Sequence, residues 1–189
     1  MSEPKPKSPQ RRPRVFTLGH GALDLERFLF VLEKSSIRLI ADVRTNPAAA
    51  RLPWFERHAL AAELERHGVS YRWFRDLGGW RAAVGGESAH TALLDESERR
   101  YAAAMNSPEF DARCAEIAGL AASTNVALLC AEVDPEHCHR RLLADKLFLS
   151  GVRVVHILGE EDAREHVLHP DLVVENGLIL YRERQLNLV

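Results

Sequence analysis

The sequence predicts a three-layer α/β fold built on a mostly parallel five-stranded sheet flanked by helices and closed by a C-terminal hairpin. Three observations predict it. Short apolar runs of strand length alternate with stretches of helical period, the pattern of right-handed βαβ units and a parallel sheet. The runs break off at their C-terminal ends into glycine or charged residues, where an open α/β sheet places its ligands. The stretch DLVVENGLILYRE sets two apolar runs about Asn176-Gly177, the strongest short hairpin signal. The arrangement expected is of the Rossmann-like or flavodoxin-like kind.

The elements follow in order. Residues 1–14 are rich in Pro, Lys, Arg and Ser and are expected to form a disordered basic tail, because they cannot bury enough surface to order themselves. Residues 15–189 are expected to form a single α/β domain. Val15 to Leu18 is a short strand ending in Gly19-His20-Gly21. Asp24 caps a helix whose apolar face is Leu25, Phe28, Leu29 and Leu32. Ile37 to Val43 is the second strand, carrying Asp42 and Arg44 at its end, and Pro47 stops it. An irregular loop with Arg51, Pro53, Trp54 and Phe55 leads to a helix over 57–67, with Gly68 where a left-handed cap belongs. Val69 to Phe74 is the third strand. The long segment 75–93 holds Gly78-Gly79-Trp80-Arg81 and Gly85-Gly86, and reads either as a flap over a substrate or as a surface excursion.

Ser97 to Met105 is a short helix. Ser107-Pro108 starts another, with Phe110, Cys114, Ile117 and Ala121 on one face. Cys114 then belongs to the core. Val126 to Leu129 is the central strand, followed by the polar stretch that ends in Arg140 and by a helix expected over 135–150. Val152 to Ile157 is the fifth strand, and its His156 reads as a core histidine with its hydrogen bonds satisfied.

The 189 residues are 46% hydrophobic and 28% charged, with a formal charge of −2, so nothing draws the whole chain to nucleic acid or to a membrane. No apolar run has the length of a bilayer span, and the N-terminal stretch has no signal-peptide core. The expected location is the cytoplasm, where the three cysteines stay reduced.

The segment VALLCAEVDPEHCHR concentrates the chemistry. If the helix starts near Pro135, Cys138 sits at a helix N-terminus, where a thiol is acidified and anions are favoured. Cys138 and Cys130 are candidate nucleophiles or redox thiols, and Glu132 and His139 candidate proton carriers. Arg44, Arg51 and Arg140 are candidate anion clamps, and His20 and Asp42 complete the crevice. The bland alternatives are core thiols, a Glu132 that caps the next turn, and an internal Asp42–Arg44 pair. A zinc site is not expected, because adjacent Cys138 and His139 on a helix cannot readily reach one ion, and a reversible Cys130–Cys138 disulfide is the other option. Gly19-His20-Gly21 is only a weak fragment of a phosphate loop, with neither the dinucleotide nor the P-loop fingerprint, and the sequence names no cofactor.

Taken together, TLGHGALDLERF, ADVRTNP, RLPWF, YRWFRDLGGWR, YAAAMNSPEF and LLCAEVDPEHCHRRLLAD resemble the bacterial and archaeal family called domain of unknown function 488, over about residues 15–158. The resemblance implies a three-layer α/β fold and places the family's motif positions on Gly19, His20, Asp42, Arg44, Arg51, Leu77, Gly78, Gly79, Cys130, Glu132, Cys138, His139 and Arg140. Gly21 and Ala50 depart from the family pattern, which has serine at those places. The function expected is an enzyme acting on a small anionic or nucleotide-like substrate. The alternative is a non-catalytic nucleotide- or nucleic-acid-binding module that uses the basic tail and the Trp54, Trp73 and Trp80 region.

Overall fold

The computed structural model describes residues 12–48, 51–82 and 88–183. The expected basic tail lies almost wholly outside the described residues, and its last member, Arg14, opens the first strand. The eight strands are β1 (Arg14–Gly19), β2 (Leu39–Asp42), β3 (Ser70–Trp73), β4 (Val126–Cys130), β5 (Arg153–Ile157), β6 (Ala163–Glu165), β7 (Leu172–Glu175) and β8 (Leu178–Tyr181). The helices are α1 (Leu25–Lys34), α2 (Arg57–Arg66), α3 (Glu96–Ala104), α4 (Pro108–Ala121) and α5 (Arg140–Leu149).

Six strands form one sheet in the order β3-β2-β4-β1-β5-β6. The first five are parallel, as expected, and the short β6 adds an antiparallel edge beside β5. Placing β4 between β2 and β1 is found in neither of the two common doubly wound orders. Every residue of β4 is buried, which explains its unbroken apolar run: a central parallel strand is covered on both faces.

The two faces are covered by different helices. Phe28, Val31 and Leu32 of α1 and Leu60 and Leu64 of α2 pack on Phe16, Leu18, Ile40, Ala127 and Leu129. Tyr101, Phe110, Cys114, Ile117, Leu142, Leu143 and Leu147 pack on the other face, against Val15, Ala41, Leu128 and Val154. The chain leaves β1 through α1 and returns at β2. It leaves β4 through α5 and returns at β5, on the opposite side of β1. With right-handed crossovers, these opposite exits put a topological switch point at the carboxyl ends of β1 and β4.

The helix starts obey local chemistry. Asp24, Glu56, Asp95 and Ser107 each accept hydrogen bonds from backbone N–H groups of the first turn of α1, α2, α3 and α4. The hairpin β7–β8 turns on Asn176 and Gly177, both with positive φ (51° and 79°), as a two-residue hairpin turn requires. It packs on the α3/α5 side, where Asn106 Nδ2 donates to the Ile179 carbonyl and Asn106 Oδ1 accepts from the Ile179 N–H, each at 2.9 Å.

Beneath the hairpin runs a buried chain of hydrogen bonds that ends on a carboxylate. Asp145 Oδ1 accepts from His166 Nε2 (2.9 Å). His166 Nδ1 and His156 Nε2 share the next hydrogen bond (2.9 Å), and His156 Nδ1 and the Thr17 hydroxyl the one after it (2.7 Å). Tyr181 donates to the other Asp145 oxygen at 2.8 Å. His156, buried and with both ring nitrogens hydrogen-bonded, is the satisfied core histidine expected. Burial, followed by the neighbouring His166, pushes its pKa down to about 4.

Two outcomes follow from these contacts. Asn106→Ala leaves both Ile179 backbone groups without a partner, and should lower stability by about 1–3 kcal/mol while speeding hydrogen exchange across 172–181. His156 takes a proton near pH 6.5 when unfolded but only near pH 4 when folded. Its contribution is therefore complete above pH 6.5 and is lost as the pH falls towards 4, with a slope of at most about 1.4 kcal/mol per pH unit. Thermal melts between pH 7 and 4.5 should show a falling Tm, and the His156→Gln variant a shallower fall.

Candidate functional site

The site is assembled by loops that continue the sheet beyond its strand ends. The β1–β4 ladder runs to the Gly19–Cys130 pair. It then continues with the His20 N–H donating to the Cys130 carbonyl (3.0 Å) and the Gly21 N–H to the Ala131 carbonyl (2.8 Å). A side chain at Gly19 would overlap the Glu132 carbonyl, and one at Gly21 would overlap Val133. Gly21 also has φ +50°. The loop after β1 is thus glycine so that the loop after β4 can lie on it.

The expected helix over 135–150 divides in two. Pro135–His137 is a single 3-10 turn capped by Asp134, and α5 begins only at Arg140. Cys138 lies between them in extended backbone (φ −141°, ψ 142°). It is therefore not in the first turn of a helix, and the helix-terminus argument for its acidity is replaced by its neighbours. Because the backbone is extended at Cys138 before it turns into α5, Cys138 and His139 face the same point.

That point is the centre of the site. His139 Nδ1 lies 3.7 Å from Cys138 Sγ and 4.0 Å from Cys130 Sγ. Its Nε2 donates to the Val43 carbonyl at 3.2 Å. A carbonyl cannot donate, so in the neutral ring Nδ1 carries a lone pair aimed at the sulfurs. Arg140, completely buried, donates from Nε to Cys138 Sγ at 3.4 Å and from Nη2 to the Glu132 and Val133 carbonyls. A hydrogen bond from the Cys130 thiol, helped by His139 and Arg140, holds the Cys138 thiol far below its usual pKa. The same bond and burial push Cys130 up, so the pair shares one proton. Cys114 stands apart in the core, raised to about 12 by burial.

The strand end of β2 supplies a second cluster. Asp42 is fully buried and accepts from Arg44 Nη2 (2.5 Å), Arg44 Nε (2.9 Å) and the Tyr71 hydroxyl (2.6 Å). Arg44 Nη1 donates to the Phe55 carbonyl at 2.8 Å and reaches His20 Nε2 at 3.5 Å. His20 stacks on Phe55 at 4.1 Å and donates from Nδ1 to its neighbour's carbonyl. Burial, then Arg44, lowers its pKa.

Two clefts meet at this centre. One of about 860 Å³ is lined by Cys130, Cys138, His139, Glu132, Arg141 and Tyr101, among others. The other, about 540 Å³, is lined by His20, Arg44, Thr45, Asn46, Arg51 and His139. They share Gly79, Cys130, Ala131 and His139.

The residues singled out from sequence fall into three groups. Cys130, Cys138, His139, Arg140, His20, Asp42 and Arg44 converge. Arg44, which also lines the smaller cleft, donates to Asp42 and the Phe55 carbonyl, and the buried Arg140 donates to Cys138 and to the Glu132 and Val133 carbonyls. Glu132 and Arg51 are exposed on the cleft walls. Glu132 Oε1 accepts from the Val133 N–H at 2.9 Å and caps its own loop. Gly78 and Gly79 make close approaches: a Cβ at Gly78 would sit 2.5 Å from Thr45 Oγ1, and one at Gly79 would sit 2.7 Å from His139 Nδ1. Part of the expected flap, 83–87, lies outside the described residues. Trp54 and Trp73 donate their indole N–H groups to the Leu23 and Arg44 carbonyls, while Trp80 is 69% exposed.

Sequence reasoning passed over Tyr71, Tyr101, Arg141 and His169. Tyr101 packs 5.1 Å from the His139 ring and donates to the Leu77 carbonyl. Arg141 is held by Glu98 and Glu136 in the wall of the larger cleft. Only Arg141 carried a local signal, as the second basic residue after Cys138-His139.

No helix among the described residues is long and apolar enough to cross a membrane. No curated protein and no solved structure is significantly similar to the chain. The family profile described as "Domain of unknown function DUF488" matches residues 24–147, from the cap of α1 into α5. That span takes in Asp42, Arg44, Gly79, Cys130, Cys138, His139 and Arg140 and stops short of His20. Covering well over half of the sequence, the match makes the chain a member of the DUF488 family of domains of unknown function.

Proposed function

We propose that the chain is an enzyme acting on a small anionic or nucleotide-like substrate, with Cys138 as nucleophile and His139 as its proton partner. The observation that carries this reading is the convergence on Cys138 Sγ of His139 Nδ1 (3.7 Å) and Arg140 Nε (3.4 Å). A cysteine beside a base whose other nitrogen is fixed is the arrangement of an activated thiol. Val43 fixes that nitrogen here.

The step balances simply. Cys138 Sγ attacks as the thiolate, its proton already passed to His139 Nδ1, and the sulfur's electron pair forms a bond to an electrophilic centre. The leaving group departs with its own electron pair and collects the proton from the imidazolium. Water then releases the product, with His139 again taking a proton. Cys130, whose sulfur is within 4.8 Å of Cys138 Sγ, is the group that donates to the thiolate between turnovers. Arg51 on the smaller cleft and Arg141 on the larger are the cations that face the space a substrate would fill. A cleft of about 860 Å³ is within the size range of small-molecule sites.

The test is competitive labelling with iodoacetamide at pH 7, read by peptide mass spectrometry. In the metal-stripped chain Cys138 should react at least about tenfold faster than Cys114, as expected of a thiolate against a buried thiol. Phosphorylated metabolites that occupy the cleft should slow it. If Cys138 reacts no faster than Cys114, the nucleophile assignment is wrong.

A further inference from the structure

The sequence argued against a metal because it put Cys138 and His139 on one helix. The structure removes that objection, since Cys138 is extended and α5 begins after His139. We propose that Cys130 Sγ, Cys138 Sγ and His139 Nδ1 form a three-donor site for a thiophilic divalent cation of the zinc class, with its fourth position open to the clefts.

Four observations carry it. The first is spacing. A tetrahedral zinc ion, with bonds of about 2.3 Å to sulfur and 2.0–2.1 Å to nitrogen, sets its sulfur and nitrogen ligands roughly 3.6 Å apart. The two sulfurs lie 3.7 and 4.0 Å from His139 Nδ1, and all three donors are within 4.8 Å of one another. Seating an ion takes a few tenths of an ångström at the nitrogen and a closing of the two sulfurs, which lie within 4.8 Å, towards about 3.8 Å.

The second is orientation. Metal-binding histidines almost always donate their other ring N–H to a carbonyl or carboxylate, which fixes tautomer and ring plane. His139 Nε2 donates to the Val43 carbonyl, leaving Nδ1 as the free donor. The third is clearance. A Cβ on Gly79 would come within 2.7 Å of Nδ1, so glycine leaves room at the ring edge that a ligand needs.

The fourth is access. Cys130 and His139 border both clefts, so the remaining coordination position is reachable by water or by an oxygen of the substrate. That is the pattern of a catalytic rather than a closed structural site. The opposing charge is Arg140, whose Nε already serves Cys138 as an outer-shell donor and whose Nη2 is bound to two carbonyls. Binding displaces the proton the two cysteines share, and the second thiolate it creates balances part of the cation's charge.

This inference goes beyond the proposed function and does not depend on it. Coordination occupies the sulfur lone pair that attack would use, so the metal-loaded chain is the form in which Cys138 is unreactive. The experiment uses the full chain, stripped with EDTA and titrated with Zn²⁺ or Co²⁺. We expect one ion per chain by elemental analysis. Co²⁺ should bring thiolate-to-metal charge-transfer absorption with the visible bands of a tetrahedral site. Iodoacetamide labelling of Cys130 and Cys138 should be suppressed by zinc and restored by EDTA. Gly79→Ala should weaken Co²⁺ binding by about tenfold or more, and Cys114→Ser should leave it unchanged.

Three outcomes overturn the site: no stoichiometric ion after dialysis, a cobalt spectrum without thiolate bands, or unchanged affinity in Cys130→Ser and Cys138→Ser variants. Should those variants fail to fold, zinc-independent labelling of the wild-type thiols overturns it equally. Fast Cys138 labelling that zinc does not affect rejects the metal and keeps the nucleophile. Slow labelling in the stripped chain that nonetheless binds zinc rejects the nucleophile and keeps the metal.

Discussion

The close approach of the Glu132 carbonyl to Gly19 is the constraint on which the site depends. Because β1 and β4 are neighbours in register through Gly19 and Cys130, the chain after β4 has to run over the end of β1 before it can turn back into α5. With no side chain at Gly19 it lies flat there. That path presents the Glu132 and Val133 carbonyls to Nη2 of the buried Arg140, so a cation that is expensive to bury finds partners there. Its Nε is then aimed at Cys138 Sγ. A backbone approach thus determines which atom faces the sulfur.

The end of β2 performs the matching task from the other side. Asp42 and Arg44 form a buried pair, and burying two charges is tolerated only when geometry and hydrogen bonds are good. Here the carboxylate also takes the Tyr71 hydroxyl, and the guanidinium also serves Phe55 and His20. Such a pair is stiff, because removing either member strands the other charge. Between the two residues lies Val43, whose N–H is spent on Leu129 and whose carbonyl is left for His139. The motif Asp-Val-Arg is therefore also a rigid mount for one carbonyl oxygen.

Much of this was legible in the sequence. Alternating period located all five parallel strands and the helices between them, because burial on both faces of β4 and on one stripe of each helix leaves a plain record. The convergence of His20, Asp42, Arg44 and Cys130 followed from their places at strand ends. The strand order was not legible: whether β4 sits beside β1 or beyond it is settled by long-range packing, which writes nothing into local pattern. The start of α5 was misplaced for a definite reason. Asp134-Pro135 is a sound start signal, but it opens a single 3-10 turn that stops at His137. The true helix begins at Arg140, where no side-chain cap marks it. That shift of five residues is what hid the shared focus of Cys138 and His139. Gly78 and Gly79 were noticed as loop glycines, but their purpose, contact with Thr45 and His139, depends on pairs more than thirty residues apart.

Two groups of buried histidines show how differently one fold can treat the same side chain. In the chain from Thr17 through His156 and His166 to Asp145, every ring nitrogen has a hydrogen-bond partner. Its members lie on β1, β5 and α5 and beside the hairpin, so the network ties α5 and the hairpin to the sheet. His139 is fixed just as firmly at Nε2, yet its Nδ1 is left to two sulfurs, which are weak hydrogen-bond partners. The contrast is one of environment: one network is completed by oxygen and nitrogen partners, while the other leaves His139 Nδ1 with soft, polarisable sulfurs at the meeting of two clefts. The proposed proton transfer from Cys138 and the proposed coordination of a cation would both use that lone pair, and both depend on the geometry that Gly79 and Val43 preserve.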